Sequence, residues 1–400
     1  MQDAKSILTS AGKFHINLGL ERTLSALEKF DNPQNAVEFI HVAGTNGKGS
    51  VCAVLNEILC TKFAQDGINV GLFTSPHLFS YCERIKVNNK NISKEELDSY
   101  VAKVCAMQND LTEFEILTVA AFLYFRDKKV KYAVLEVGLG GRYDSTNVIT
   151  KPLCSIITTL DFDHTARLGG TINEIAYQKA GIIKPKCPVI ISEDNRGLNV
   201  VEECARKSSS PLFRAKYAPK VDFDGSKNFV YINGGKYEFS LLGTHQSKNL
   251  SLVLEALKYL PFEVPDAILE AALKNVRWKF RLEYDSQKKL LIDGAHNPSG
   301  ILTLRAFLDE YFAKEKKTFI FGCLNNKDYL SMLKTLVKDE DELYFYEFNY
   351  PGALKFDELP PRVRKFVRKT ESPHDIIESR ENLKIVCGSL YMLGSLFNSG

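Results

Sequence analysis

No two of the nine cysteines stand in a Cys-x-x-Cys pair, and their number is odd. That excludes the ligand spacing of a zinc ribbon and offers no disulfide framework; reduced thiols in a cytoplasmic protein fit the pattern instead. No stretch approaches the roughly eighteen consecutive apolar residues of a membrane-spanning helix. The opening residues, MQDAKSILTSAGKFHINLGL, lack the apolar centre of a signal peptide. Charge of one sign is also scarce: the formal net charge is +3 over 400 residues. Composition therefore calls for neither nucleic acid nor a membrane surface as a partner. Internal repeats and low-complexity tracts are absent, and there is a single tryptophan. What remains is a chain long enough for two or three domains, each with a sizeable core.

The most informative stretch is HVAGTNGKGSV at 41–51, which follows the apolar residues Phe39 and Ile40. It reads as a strand running into a glycine-rich turn that cradles phosphates, with Lys48 supplying charge and Ser50 a hydroxyl for a metal ion or phosphate oxygen. The spacing differs from the common nucleoside-triphosphate loop: Gly44 and Gly47 enclose two residues, and Gly49 separates Lys48 from Ser50. Val51, Val54, Leu55, Ile58 and Leu59 then mark one face of a helix. A glycine-rich turn alone can be an ordinary solvated loop; its position between a buried strand and an amphipathic helix argues against that here.

Apolar strands alternate with helical patterns through the first 275 residues, with strands expected at 37–43, 68–73, 130–137, 154–160 and 187–192. This predicts a parallel sheet covered on both faces. Residues 212–242 change character and read as a small antiparallel hairpin inserted before a helix at 247–259, with Gly234-Gly235 as the turn. A second alternation follows the basic stretch NVRWKFRLE, including a helix expected at 357–368. The expected fold is α/β: an N-terminal P-loop-type parallel-sheet ATPase domain with a small β insertion over 1–277, a linker at 278–283, and a smaller Rossmann-like α/β domain over 284–400.

Glu136 closes the strand VKYAVLEV, and an acid at the carboxyl end of a buried strand needs a partner. Facing the phosphate loop, it becomes a candidate Mg²⁺ ligand; the plainer alternative is a capping role in a tight turn. His164, just past the next strand with Asp161 and Asp163, would make a mixed oxygen and nitrogen site with it, a set that Mn²⁺ tolerates better than Mg²⁺. Ser75, in TSPHL, could complete the shell through its hydroxyl.

Taken in order, these segments resemble the folylpolyglutamate synthase and dihydrofolate synthase family of Mur-type ATP-dependent amide ligases. The resemblance runs almost end to end, through LGLERTLSALEKFDNPQ, HVAGTNGKGSV, GLFTSPHL, TEFEILTVAAFLYF, LEVGLGGRYDSTNVI, DHTARLGGTINEIAYQKAGIIKP, GTHQSKNLSLVLEAL and DGAHNP. It implies that Asn46, Gly47, Lys48, Gly49 and Ser50 hold ATP phosphates, and that Ser75, Glu136 and His164 bind a first Mg²⁺. Lys179 matches a lysine that the family carbamylates to hold a second Mg²⁺. Asn249, Arg281 and Asp293 match ATP contacts, with His296 beside them. Leu18, Gly19, Leu20, Thr112, Glu113, Phe114 and Asp144 match the pterin-side pocket of the bifunctional bacterial type. One departure stands out: the family usually shows Trp-Pro-Gly-Arg-Leu-Glu at the linker, whereas here Lys279 and Phe280 replace Pro and Gly.

The implied activity is ATP-dependent ligation of L-glutamate to dihydropteroate and to the glutamate tail of reduced folates, through an acyl phosphate, in a cytoplasmic monomer. Three rivals are a single-activity folylpolyglutamate synthase, another Mur-type peptide ligase and an ATP-dependent switch. Only forty residues precede His41, too few for the extra UDP-sugar domain of the peptide ligases.

Overall fold

A computed structural model describes residues 3–11, 19–108, 110–216, 219–379 and 381–398. The chain divides into two compact units, Met1–Pro219 with Lys248–Val276, and Lys220–Ser247 with Arg277–Gly400.

The first unit is built on an eight-stranded sheet. In chain order its strands are β1 (Glu38–Ala43), β2 (Asn69–Phe73), β3 (Ile85–Val87), β4 (Lys90–Asn91), β5 (Val130–Glu136), β6 (Cys154–Ile157), β7 (Val189–Ser192) and β8 (Leu212–Ala215). Their spatial order is β4-β3-β2-β5-β1-β6-β7-β8. Five of the strands are those expected from apolar runs bounded by turns. β3 and β4 pair antiparallel at one edge and are too short to show a period. β1 sits between β5 and β6, parallel to both. Buried on both faces, it reads as a continuous apolar run broken by one histidine. The helix Glu113–Asp127 is buried nearly all round because its residues are apolar on every side, the pattern of a core helix.

Residues 212–242 do not form one hairpin. β8 extends the large sheet in parallel beside β7. The rest makes a separate antiparallel sheet of β9 (Lys220–Phe223), β10 (Asn228–Ile232) and β11 (Gly235–Glu238). The turn is Asn233-Gly234 rather than Gly234-Gly235: Ile232 pairs with Gly235, and the two residues between have φ of 49° and 85°. Positive φ at both central positions is the primed turn that matches strand twist. This small sheet belongs with the second unit, not with the first as the sequence suggested. Phe223 explains why: its ring packs edge-on to Tyr284 and Tyr311 and against Phe307 and Phe312. Its aromatic face is satisfied by that core, which also includes Leu242 and Leu291.

The second unit carries β12 (Glu283–Asp285), β13 (Leu290–Asp293), β14 (Lys317–Phe321), β15 (Glu342–Tyr346), β16 (Arg368–Thr370) and β17 (Leu383–Cys387), ordered β12-β13-β17-β14-β15-β16. Only β12 runs antiparallel. The helix expected at 357–368 is absent. A 3₁₀ turn at Phe356–Glu358 and a short helix at Pro361–Arg364 replace it, with Leu359 and Pro360 extended between them. Pro360 and Pro361 each push the preceding residue out of the helical region. Among the described residues no helix is long and apolar enough to cross a membrane.

Candidate active site

The glycine-rich turn leaves the carboxyl end of β1 and enters the helix Lys48–Phe63 at Gly47. Two glycines are required by the backbone. At Gly44 φ is 152°, and a β-carbon would stand 1.7 Å from the Thr158 hydroxyl. At Gly47 φ is 89°, and a β-carbon would meet Asn249 Oδ1 at 2.4 Å. The turn is laced to the residues beyond β6: Thr45 N–H donates to the Thr159 carbonyl at 2.7 Å, and the Thr158 hydroxyl to the Asn46 carbonyl at 2.7 Å. Gly47, at the N-cap, has no side chain of its own to cap the first N–H groups of the helix.

Two lysines converge on this turn. Lys48 Nζ donates to the carbonyls of Gly44 and Thr45 at 3.0 and 3.2 Å. Lys179 Nζ, from the end of the helix Ile172–Lys179, reaches the same Gly44 carbonyl at 2.8 Å. Lys179 is buried, and burial first, then the Lys48 charge, brings its amine down to about 7, against the pull of Asp163 and Asp144. An ammonium in that setting is destabilised by desolvation and by a like charge.

Glu136 ends β5, next to β1, and is buried. Its Oε2 accepts the Ser75 N–H at 3.0 Å, which joins two of the expected metal ligands directly. Its charge is felt at Cys52, one turn into the loop helix, whose thiol is pushed up first by burial and then by Glu136. His164 is exposed at φ 50°, with its ring 3.9 Å from the Asp163 carboxylate. Among the described residues no three His, Cys, Asp or Glu side chains converge on one point. The expected set holds only two of those types, and its oxygen donors, Ser75 and the buried Glu136, fit a hard divalent cation.

Asn46, Gly49 and Ser50 lie in the turn and first helical turn, Ser50 buried. Asn249 is buried in the helix His245–Leu257, against Gly47. Of the residues expected on the pterin side, Leu18 lies outside the described residues. Gly19 has φ 141°, and Leu20 precedes the helix Glu21–Glu28. Thr112 caps the helix Glu113–Asp127 in a reciprocal box with Glu115. Glu113 is buried, 3.5 Å from Arg84. Arg84 in turn donates to His77 Nδ1 at 2.9 Å. The Phe114 ring fills the space a β-carbon on Gly138 would need. Asp144 is buried, and burial raises its carboxyl while the loop around it opposes the rise with hydrogen bonds. Arg84, Asp163 and Thr158 were not singled out as site residues from sequence. Only Asp163, beside His164 at a strand end, carried a visible signal.

In the second unit, Asp293 ends β13 and is buried. Its two oxygens accept the N–H groups of Leu282 and Ala295, each at 2.8 Å. Arg281 lies between Phe280 and Leu282, whose φ values are 58° and 48°. Phe280 therefore takes, without glycine, the left-handed conformation that the usual glycine would adopt freely. The turn is held by Gly294 N–H on the Phe280 carbonyl at 2.7 Å, and by the Phe280 ring against Phe397. His296 Nδ1 lies 2.8 Å from the Gly294 carbonyl. His245 is half-buried, and desolvation, then Arg281, lowers its imidazole to about 4.

Residues 42–257 match the Mur ligase middle domain, and residues 277–356 the dihydrofolate synthetase C-terminal domain. Dihydrofolate synthase/folylpolyglutamate synthase of Bacillus subtilis is 34% identical over 426 residues, covering 99% of this chain and 98% of that protein. The crystal structure of folylpolyglutamate synthase from Thermotoga maritima superposes with a TM-score of 0.83 at 32% identity, over 98% of this chain and 95% of that one. The bifunctional folylpolyglutamate synthase/dihydrofolate synthase of Yersinia pestis, at 26% identity, gives 0.84 over 99% and 98%. The chain belongs to the dihydrofolate synthase/folylpolyglutamate synthase family of Mur-type, ATP-dependent amide ligases.

Proposed function

We propose that this protein joins L-glutamate, at the expense of ATP, to the carboxylate of dihydropteroate and to the glutamate tail of reduced folates. The observation that carries this reading is the convergence of Lys48 and the buried Lys179 on the Gly44 carbonyl, at the start of a helix whose N-cap is the glycine Gly47. Such a turn favours phosphate oxygens, which would take over the backbone N–H groups and the Lys48 ammonium. A carboxylate is a poor electrophile, and phosphorylation by ATP makes it an acyl phosphate that an amine can attack.

Asn46, Gly47, Lys48, Gly49 and Ser50 would hold the phosphates, with Asn249 packed against the turn. Ser75 and Glu136 would hold a first divalent cation, Mg²⁺ or Mn²⁺, with His164, and when bound it offsets charge on the transferring phosphoryl group. Lys179 carries the second part of the reading. With its amine lowered to about 7, a substantial fraction is neutral at physiological pH. That nitrogen forms a bond to the carbon of CO₂, one C=O electron pair moves onto oxygen, and a proton leaves the nitrogen. The product is an anionic carbamate, which removes the like-charge conflict with Lys48. Arg281, Asp293 and His296 are assigned to the nucleotide side from the second unit. There the Asp293 carboxylate ties Leu282, next to Arg281, to Ala295 in the turn after β13. Gly19, Leu20, Thr112, Glu113, Phe114 and Asp144 are assigned to the pterin side.

The test is ADP release with Mg²⁺ and L-glutamate, adding dihydropteroate or tetrahydrofolate separately. Stimulation by both is expected. Stimulation by tetrahydrofolate alone would make it a single-activity folylpolyglutamate synthase. Release independent of either would favour the ATP-dependent switch. The cytoplasm is the proposed location, in keeping with nine free cysteines, and the proposed state is a monomer.

A further inference from the structure

His41 stands inside β1, three residues before Gly44, with no exposed surface. A histidine within a buried apolar strand needs a reason, because its two ring nitrogens need partners. One nitrogen has a partner and the other does not. His41 Nε2 lies 2.9 Å from the Thr146 hydroxyl, and Nδ1 has no hydrogen-bond partner. The Thr146 hydroxyl lies 2.5 Å from Asp144 Oδ1 and donates to it. A hydroxyl has one hydrogen, so the Thr146 oxygen is left to accept from His41. The tautomer follows: Nε2 carries the proton and bare Nδ1 is buried without a partner. The reverse tautomer would bury an N–H with no acceptor, the more costly orphan. The ring stays neutral, since burial and then Lys184 lower it to about 3.

The far end of this chain is the loop that carries Asp144. Thr146 N–H donates to Asp144 Oδ1 at 3.0 Å, and Leu139 N–H to Oδ2 at 2.8 Å. The same loop touches the segments on both sides of the reaction. The ring of Phe114 lies in the place of a Gly138 β-carbon. A β-carbon on Gly141 would stand 3.0 Å from the carbonyls of both Gln178 and Lys179, so the backbone there has no slack. Arg142 N–H donates to the Gln178 carbonyl at 2.8 Å, and Ser145 and Thr118 share a hydroxyl contact at 2.8 Å.

We propose that His41 is a positioning residue for the carboxylate substrate: through the Thr146 hydroxyl it fixes the orientation of Asp144 and of the loop between Phe114 and Lys179. This deepens the folate-ligase reading and rests on it for the identity of the substrate. The relay ties the strand that carries the phosphate turn to the loop on the pterin side. It serves orientation, not proton transfer, because the ring stays neutral and its second nitrogen leads nowhere.

The test compares His41→Leu, His41→Gln, Thr146→Val and Thr146→Ser. Gln keeps a donor near the Nε2 position, and Ser keeps the hydroxyl. In His41→Leu and Thr146→Val, kcat/KM for dihydropteroate should fall on the order of tenfold to a hundredfold, the usual result of misplacing a reacting group. KM for ATP should stay within about twofold, as expected if only one substrate's binding is touched. His41→Gln and Thr146→Ser should recover most of the loss. The double variant His41→Leu/Thr146→Val should be no worse than either single one, since both break the same relay. The proposal is overturned if both KM values rise together, if the Gln and Ser variants are as impaired as the others, or if the two losses multiply.

One readout does not depend on the substrate. In protein labelled with ¹⁵N-histidine, the resonances missing from His41→Gln identify His41. They should show a protonated Nε2, a bare Nδ1 and no titration between pH 5 and 8, in keeping with a ring lowered to about 3. The opposite tautomer would end the relay even if folate turnover were intact. The expected tautomer in a protein that ignores dihydropteroate would leave the relay standing and refute the substrate.

Discussion

Two turns in this molecule occupy the same place in their sheets and are built in opposite ways. Each follows a parallel strand, and each leads into a helix. After β1, the turn at 44–47 uses two glycines with positive φ and puts at the N-cap of the helix Lys48–Phe63 a residue, Gly47, with no side chain to cap it. After β13, the turn at 294–297 is closed by side chains. Asp293 accepts the N–H groups of Leu282 and Ala295, and Asn297 caps the helix Pro298–Tyr311 by accepting the Gly300 N–H at 2.8 Å. An uncapped helix start presents oriented donors to an anion; a capped one has spent them on the protein itself. Strand–turn–helix geometry is thus not enough to make a phosphate site. What differs is whether the sequence supplies an acceptor of its own.

The comparison is tested hardest at Lys48. Lys48→Ala should lower turnover by on the order of a thousandfold, as for loss of one preorganised charge on a reacting group. The circular dichroism spectrum and melting point should change little, since among the described residues the side chain bonds to two backbone carbonyls. Near-full activity would remove the first turn from the phosphate role, and with it the contrast.

Lys179 comes next. Lys179→Ala should cost turnover on the order of a hundredfold, the scale of losing one electrostatic contact at the reacting group. Small carboxylates such as acetate should restore part of it. Unimpaired turnover would sink the carbamate. The lowered amine also makes a stability prediction. The folded protein releases this proton near 7, whereas the unfolded chain holds it to 10.5. Between those values the unfolded state binds more protons, so stability rises with pH through that window. It is lowest below 7, where the buried amine must be charged. Lys179→Met should flatten this slope in urea titrations under CO₂-free conditions. Lys48→Met should move it to higher pH, because Lys48 helps hold the amine down. If neither variant changed the slope, the two lysines would not be electrostatic neighbours.

How much of this contrast could be read in advance depends on distance along the chain. The first turn was legible because its glycines, its lysine and the flanking apolar periods lie within about fifteen residues. The β-carbon clash of Gly44 with Thr158 explains one of those glycines, yet nothing local announces a partner more than a hundred residues away. The side-chain closure of the second turn was not legible, because Asp293 meets Leu282 across the β12–β13 hairpin. Phe280 was the opposite case: its departure from the usual glycine was visible, but not that its backbone would keep the left-handed conformation regardless. The small sheet β9–β11 was assigned to the wrong unit because Phe223 finds its aromatic neighbours between 284 and 312, beyond any local pattern. His41 was passed over because a single polar residue in an apolar strand does not disturb the period. Its meaning lies in Thr146, which only the sheet brings near.

The smallest effect sharpens the comparison most. Asn297→Ala removes the cap on the helix Pro298–Tyr311 and should destabilise the protein by about 1 kcal/mol, the usual value for a lost N-cap. For a chain of this size that is a fall in melting temperature of roughly 2 °C. If this turn is closed by its own side chains, KM for ATP should stay within about twofold, since no ligand depends on the vacated acceptor position. A loss of ATP affinity as large as that caused by changes at 44–47 would mean that Asn297 also serves the nucleotide. Asn297 would then join His296 of the same turn in the assignment to the nucleotide. With the stability loss alone, an acceptor supplied by the protein remains what separates the capped turn from the one proposed for phosphate.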